Sequence, residues 1–313
     1  MSGGTTIAPG DRIGFIGLGN MGAPMVARLV SDGFTVIGFD QNAAASSELD
    51  AMANFLRATS LTEACQGVRA VILMLPNSAI VTSVLRDGPL FALADKGTLI
   101  LDMSSSQPNS TVELSREAVT HGLKMVDAPV SGGVPAARDG SLTIMVGGPD
   151  SWFDEASRLL SRIGTNVVHA GEAGAGHALK AINNFLSAST LLASSEALVV
   201  GTKFGLKPQV MMDAVNVSSG RSWSSLTKWP RYIFPRKFAS GFLMSLLIKD
   251  TRIAVELAHQ LDIKIPYAER TLELWEQAMG EFPQDADHTD IHRFVERHSG
   301  YESPKVEKSE SPQ

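Results

Sequence analysis

From Arg12 onward, short apolar runs alternate with helical stretches: RIGFIG then MGAPMVARLV, FTVIGF then a helical segment, VRAVILML then AIVTSVLRDG, GTLILD then STVELSREAV. A continuous apolar strand is buried on both faces, and a helix between two such strands returns the chain to begin a parallel neighbour. The alternation therefore predicts an α/β fold with an open, doubly wound parallel sheet. Further strands are expected at 123–128, 141–148 and 166–170, with a helix over WFDEASRLLSRI. After Gly171 the strand signal fades. One proline-free helical pattern continues from about Ala175 to Lys203, roughly 40 Å at the usual rise. Helical segments follow at 208–217, 242–261 and 266–279. The expected layout is a sheet domain over 12–173 and an all-helical domain over 174–298 joined by the long helix. Disordered ends are expected at 1–11 and 299–313.

Composition narrows the class. The 313 residues are 44% hydrophobic and 19% charged, the balance of a soluble globular chain. A formal net charge of −6 disfavours a general grip on nucleic acid. The single cysteine, Cys65, cannot form an internal disulfide and reads as a small core residue. MSGGTTIAPG lacks the pattern of a secretory signal or transit peptide. The apolar run LLASSEALVV is broken by Ser194, Ser195 and Glu196, so it reads as a buried helix and not as a membrane span. The expectation is a cytoplasmic protein without a membrane or nucleic-acid partner, with the mitochondrial matrix as the other compartment left open. A helix this long and apolar needs cover on several sides, which a second copy would supply in a homodimer or homotetramer.

GFIGLGNMGAPM carries Gly17, Gly19 and Gly22 in G-x-G-x-x-G order, after the first strand and at the start of the first helix. In that setting Gly17 makes the tight turn, Gly19 lets backbone approach a pyrophosphate, and Gly22 lets helix and strand pack closely. Asp40 ends the second strand about 20 residues further on, where a carboxylate accepts hydrogen bonds from ribose hydroxyls and repels a 2′-phosphate. No arginine follows in QNAAASS. The expected cofactor is NAD, with NADP disfavoured by Asp40, and the sheet domain becomes a Rossmann-type NAD-binding domain.

Two further stretches can hold chemistry. DAPVSGG ends a strand with Ser131, Gly132 and Gly133, either a plain turn or a small anion-accepting surface suited to a carboxylate. In GHALKAINN, Lys180 and Asn184 stand four apart among Ala, Leu and Ile, hence on one helix face. Lys180 either snorkels from the helix edge or, desolvated, exchanges protons near neutral pH, as alcohol oxidation requires. The seven histidines are scattered without a ligand pair, so no metal is expected. His177 is a weaker pocket candidate.

GFIGLGNMGAPM, MLPNS, DAPVSGGVPAARDGSLTIMVGG, GAGHALKAINN, NVSSGRSWSS and LLIKD run in order through the chain, and together they resemble the β-hydroxyacid dehydrogenase family. The resemblance implies an NAD-dependent oxidoreductase that converts a small β-hydroxyacid, 3-hydroxyisobutyrate or similar, to the semialdehyde or ketoacid, or the reverse. It implies that Gly17, Leu18, Gly19, Asn20, Met21 and Gly22 hold the cofactor, that Leu75, Pro76, Asn77 and Ser105 line it, and that Lys249 closes over it. Ser131, Gly132 and Gly133 would bind the substrate carboxylate, Lys180 would be the acid/base, and Asn184 would hold substrate beside it. Trp223, with Ser219 and Gly220, is a weaker substrate contact. The helical part becomes a substrate and dimerisation domain. Alternatives within the resemblance are L-threonate, 4-hydroxybutyrate or succinic semialdehyde, sulfolactaldehyde, serine-like substrates and an imine. An imine reductase would usually lack Lys180, and a non-enzymatic binding module would tend to lose that lysine and gain basic segments.

Overall fold

The computed structural model describes residues 7–306 apart from Pro89. The chain forms two compact units, Met1–Lys180 and Ala181–Gln313. In the first, β1 (Arg12–Ile16), α1 (Gly22–Ser31), β2 (Thr35–Phe39) and β3 (Phe55–Arg57) are followed by α2 (Leu61–Cys65), β4 (Ala70–Leu73), α3 (Ser78–Thr82) and α4 (Leu90–Leu93). Next come β5 (Leu99–Asp102), α5 (Pro108–Thr120), β6 (Lys124–Asp127), β7 (Val130–Ser131), α6 (Gly133–Asp139), β8 (Leu142–Gly147), α7 (Asp150–Leu160) and β9 (Gly164–Gly171). The strands make one sheet in the order β3-β2-β1-β4-β5-β6-β8-β7, with β9 paired to β8.

Side chains alternate between two cores. Ile13 and Phe15 of β1, Ala70 and Ile72 of β4, and Leu99 and Leu101 of β5 join one apolar cluster. Val71, Leu73 and Ile100 join another. The pleat sends neighbours to opposite faces, and because both faces are covered each strand reads as an unbroken apolar run. Strands β1 to β6 pair in parallel. The expectation of a parallel sheet needs one correction, since β8 runs antiparallel to β6 and β7. The chain reaches β8 through the seven-residue α6, too short a connection for the crossover that a parallel neighbour needs.

The long helix is α8 (Ala175–Phe204), and it crosses the division between the two units. By length and composition alone it could cross a membrane, although half of its most apolar window is buried within the protein; the core helix of a globular unit meets the same criteria. Then follow α9 (Pro208–Asn216), an irregular π-type segment Ser224–Ile233, α10 (Met244–Gln260), α11 (Pro266–Met279) and α12 (Ile291–Ser299). The helical core gathers Leu191 and Leu198 of α8 with Trp229, Leu247, Trp275 and Phe294.

Parts of the ends expected to be disordered are held. Ile7 is buried, Gly10 N–H donates to the Gly33 carbonyl, and Ser303 N–H donates to Glu296 Oε1 at 2.8 Å. Residues 1–6 and 307–313 lie outside the described residues.

Candidate active site

The glycine loop has the shape its pattern predicts. Gly17 has φ +101°, and a Cβ there would collide with the Met74 carbonyl. A Cβ on Gly22 would collide with the Gly17 carbonyl, whereas nothing lies within 4 Å of a Cβ on Gly19. The first and third glycines are therefore required by the protein's own packing. The second faces open space, as a backbone meant to approach a ligand should.

Asp40, just past β2, closes on this loop: Leu18 N–H donates to its Oδ2 at 2.8 Å and Asn42 N–H to its Oδ1 at 2.9 Å. Leu18 is thereby a shaping residue. Its side chain is wholly buried, its N–H is taken by Asp40, and its carbonyl accepts from Ser46 Oγ at 2.6 Å. Asn20 is exposed and Met21 packs against the core.

The next two loops of this sheet edge are tied to each other. Ser104 Oγ accepts from Leu75 N–H at 3.0 Å, and Ser104 N–H donates to buried Asp102. Pro76 is exposed and Ser105 half-buried. Asn77 caps α3, its Oδ1 accepting from Ile80 N–H at 3.0 Å. Asn77 thus has a structural duty that the motif alone does not show.

Ser131 ends β7, and Gly132 (φ +126°) and Gly133 (φ +67°) lead into α6. Ser131 is half-buried and both glycines are exposed. Amides at a helix start lack intrahelical acceptors and favour an anion.

Lys180 is half-buried in the second turn of α8. The start of that helix is gripped from β6, because Gly174 N–H donates to Asp127 Oδ1 at 2.7 Å and His177 N–H to Oδ2 at 2.8 Å. The buried His177 ring lies 3.0 Å from the Ser104 carbonyl through Nε2 and 2.8 Å from Thr111 Oγ1 through Nδ1. A carbonyl only accepts, so Nε2 donates to Ser104, while Thr111 Oγ1 also donates to the Gln107 carbonyl at 3.2 Å.

In the helical unit, Asn184 and Lys249 meet on Asp250. Asn184 Nδ2 donates to Asp250 Oδ2 at 2.5 Å, and Lys249 Nζ lies 3.3 Å from Oδ1. Asn184 Oδ1 accepts from Asn183 Nδ2 at 3.1 Å. Asp250 is 3% exposed, so it orients both neighbours from inside the unit. Trp223 is 66% exposed and is not drawn into this group. Among the described residues, no three His, Cys, Asp or Glu side chains gather as metal ligands. Cys65 is buried, which pushes its thiol up to about 12 and leaves it unreactive.

Sequence reasoning passed over Asp102, Asp127 and Asp250. The first two had a visible signal: each is a carboxylate closing an otherwise apolar strand, LILD and KMVD, as Asp40 closes IGFD.

The NAD binding domain of 6-phosphogluconate dehydrogenase, as a family profile, matches residues 12–171. The profile described as the NAD-binding of NADP-dependent 3-hydroxyisobutyrate dehydrogenase matches residues 174–295. The chain is 38% identical over 276 residues to 2-(hydroxymethyl)glutarate dehydrogenase of Eubacterium barkeri, covering 86% of this chain and 90% of that one. It is 37% identical over 271 residues to NAD-dependent L-serine dehydrogenase of Pseudomonas aeruginosa, covering 84% and 91%. The solved 3-hydroxyisobutyrate dehydrogenase of Mycobacterium tuberculosis, with L-serine, superposes with a TM-score of 0.85 at 32% identity, covering 91% of this chain and 99% of that one. The glycine loop, the strand-end carboxylates and these likenesses agree: the chain belongs to the β-hydroxyacid dehydrogenase family, an NAD(P)-dependent oxidoreductase acting on CH–OH donors.

Proposed function

We propose that the protein oxidises a small β-hydroxyacid, 3-hydroxyisobutyrate or a close analogue, with NAD as cofactor and Lys180 as general acid/base. The observation that carries this is a half-buried lysine two turns into a helix whose start is fixed by a buried carboxylate, in the same compact unit as the glycine loop. When bound, NAD supplies the hydride acceptor. Gly17, Gly19 and Gly22 would shape its pyrophosphate site. Asp40 already has its carboxylate against the loop, and its charge would repel a 2′-phosphate, which supports NAD over NADP.

The substrate carboxylate would sit on Ser131 Oγ and the amides of Gly132 and Gly133 at the start of α6. Lys180 Nζ would take the hydroxyl proton as the carbinol C–H bond breaks, and would return it in the reverse reduction. Asn184, with its amide oriented by Asp250, would hold substrate, and Lys249 would contact the cofactor; both roles rest on the family's motifs. Trp223 is a further substrate candidate on the same footing. The exposed stripe Leu179, Ile182, Leu186, Ala197, Val200 and Phe204 along α8 supports a homo-oligomer covered by a second copy. The single free cysteine fits a cytoplasmic setting.

The test is NADH formation on a panel of hydroxyacids that includes 3-hydroxyisobutyrate and L-serine, with NAD and NADP in turn. Lys180→Ala should lower kcat by about 10²- to 10⁴-fold while cofactor affinity stays within about twofold. Normal turnover by that variant would overturn the assignment.

A further inference from the structure

We propose that Asp127 is the positioning residue for Lys180: from the end of β6, its carboxylate holds the first turn of α8 and so sets where the lysine amine stands. The proposal rests on the acid/base role of Lys180 given above. The start of α8 has no cap of its own, because residues 172–176 read EAGAG and contain no Ser, Thr, Asp or Asn. The helix nevertheless needs acceptors for its first amides. Asp127 provides two at once, Oδ1 for Gly174 N–H at 2.7 Å and Oδ2 for His177 N–H at 2.8 Å. These are the two amides that a local capping box would serve with two side chains. Here one carboxylate, 47 residues away from Gly174, serves both.

The surroundings are cut to fit this carboxylate. A Cβ on Gly147 would stand 2.5 Å from Asp127 Oδ1, and one on Gly176 would stand 2.8 Å from Oδ2. Asp127 is 0% exposed. Burying a carboxylate is costly, but a local side-chain cap has no room here: Gly174 has φ +88°, and a Cβ there would stand 2.8 Å from the Pro108 carbonyl oxygen. What the remote carboxylate adds is a link. Four residues after Asp127 the chain reaches Ser131, the proposed carboxylate anchor, and three residues after His177 α8 reaches Lys180. One side chain thus joins the strand that leads to the substrate turn to the helix that carries the acid/base. The His177 ring, held between the Ser104 carbonyl and Thr111 Oγ1, stops the same turn from rotating about its axis. Charge-assisted bonds of this kind are short and directional, and a misplacement of about 1 Å at a reacting group can cost up to about 100-fold in rate.

The experiment measures Asp127→Asn and Lys180→Ala in parallel, as full-length protein at saturating NAD, across a pH range. Asp127→Asn keeps the shape but leaves one acceptor oxygen for two amides. The expected result is a fall in kcat of about 10- to 100-fold, with NADH affinity within about twofold of wild type. The acid limb of kcat/KM should also shift, because an amine that stands elsewhere meets different neighbours. The other titratable groups facing Asp127 are the His177 ring, 3.8 Å from Oδ2, and Asp102, 3.8 Å from the far side of that ring; both are retained. A loss of stability alone, with kcat and the pH profile unchanged, would overturn the proposal. Lys180→Ala at the wild-type rate would instead overturn the acid/base reading itself. Should Asp127→Asn fail to fold, the wild-type protein itself still carries a test. Hydrogen exchange on wild type gives an independent readout. The His177 amide should exchange only with global opening, and exchange as fast as a frayed helix end would overturn the proposal.

Discussion

In the sheet unit, strand-end carboxylates shape loops, while in the helical unit charged groups hold segments of the chain together. Asp40 fixes the glycine loop, Asp102 the Ser104–Ser106 turn, and Asp127 the start of α8. By contrast, Arg236 grips Glu296 with two bonds of 2.9 Å. Ser240, Gly241 and Thr289 all donate to Asp287 beside His288. Apolar surface differs in the same way. Of the exposed large apolar residues of the sheet unit, Leu56, Ile80, Val119 and Val168 sit singly on four elements, and Leu179 lies on the part of α8 that falls in this unit. The helical unit exposes Ile182, Leu186, Val200 and Phe204 in register along one helix, with Val210 and Val217 nearby in sequence. Single exposed apolar side chains are normal, but a continuous stripe marks a surface that is covered in use. The sheet unit thus closes most of its apolar surface by its own contacts, whereas the helical unit leaves a stripe of it exposed along α8.

The largest effect that would break this contrast lies in the helical unit. Burial first, then the Lys228 ammonium, push His288 down to about 4, against the opposing pull of Asp287 and the Phe242 carbonyl. Burial would raise the Asp287 carboxyl, but hydrogen bonds from Thr289 outweigh it and hold the group below its ordinary value. The unfolded chain protonates His288 at an ordinary value of about 6.5. As pH falls from there to about 4, the unfolded state therefore binds a proton that the folded state resists. The helical unit should lose about 3 kcal/mol across that window and no more from this group below it. Urea denaturation of wild type and His288→Asn at several pH values checks this. An unchanged slope in the variant would show that the charges of this unit do not govern its stability.

A smaller effect sharpens the ligand side of the contrast. Gly19→Ala adds a methyl group to open space, so the melting temperature should hold. The same methyl stands where a pyrophosphate would approach, so the dissociation constant for NAD should rise about tenfold or more. Calorimetry on both proteins separates the two. Equal affinity would mean that the loop's openness serves no ligand.

The smallest effect on the fold itself is expected on α8. Leu186 is 54% exposed, so Leu186→Glu should change the stability of one subunit by about 0.5 kcal/mol or less. It should nevertheless disperse an assembly that buries this stripe. Sedimentation velocity at several concentrations tells the outcomes apart. A wild type that remains monomeric would leave the stripe unexplained by self-association.

Much of the molecule was legible before any coordinate. The parallel strands were readable because burial on both faces demands unbroken apolar runs, and Gly17 and Gly22 because their pattern answers a steric need that the structure shows directly. β7, the reversed β8 and the π-type segment around Pro230 were not. Two-residue strands and irregular turns carry too little periodicity to stand out, and strand direction depends on a connection's path and not on the strand's own residues. Of the three aspartates that close strands, only Asp40 was singled out, because only Asp40 belongs to a motif with a known spacing.

The sequence by itself determined the alternation of strand and helix, the glycine loop and the place of Lys180 near the start of a long apolar helix, since each follows from local periodicity or from steric demands within a few residues. Only the tertiary structure decided that Asp127 caps α8, that His177 bridges Ser104 and Thr111, and that Asp250 orients Asn184. Those partners are 47 to 73 residues apart or on different helices. Nothing in local spacing selects them; they are chosen by which buried donors and acceptors packing brings together, because a buried polar group must find its partner wherever the fold supplies one.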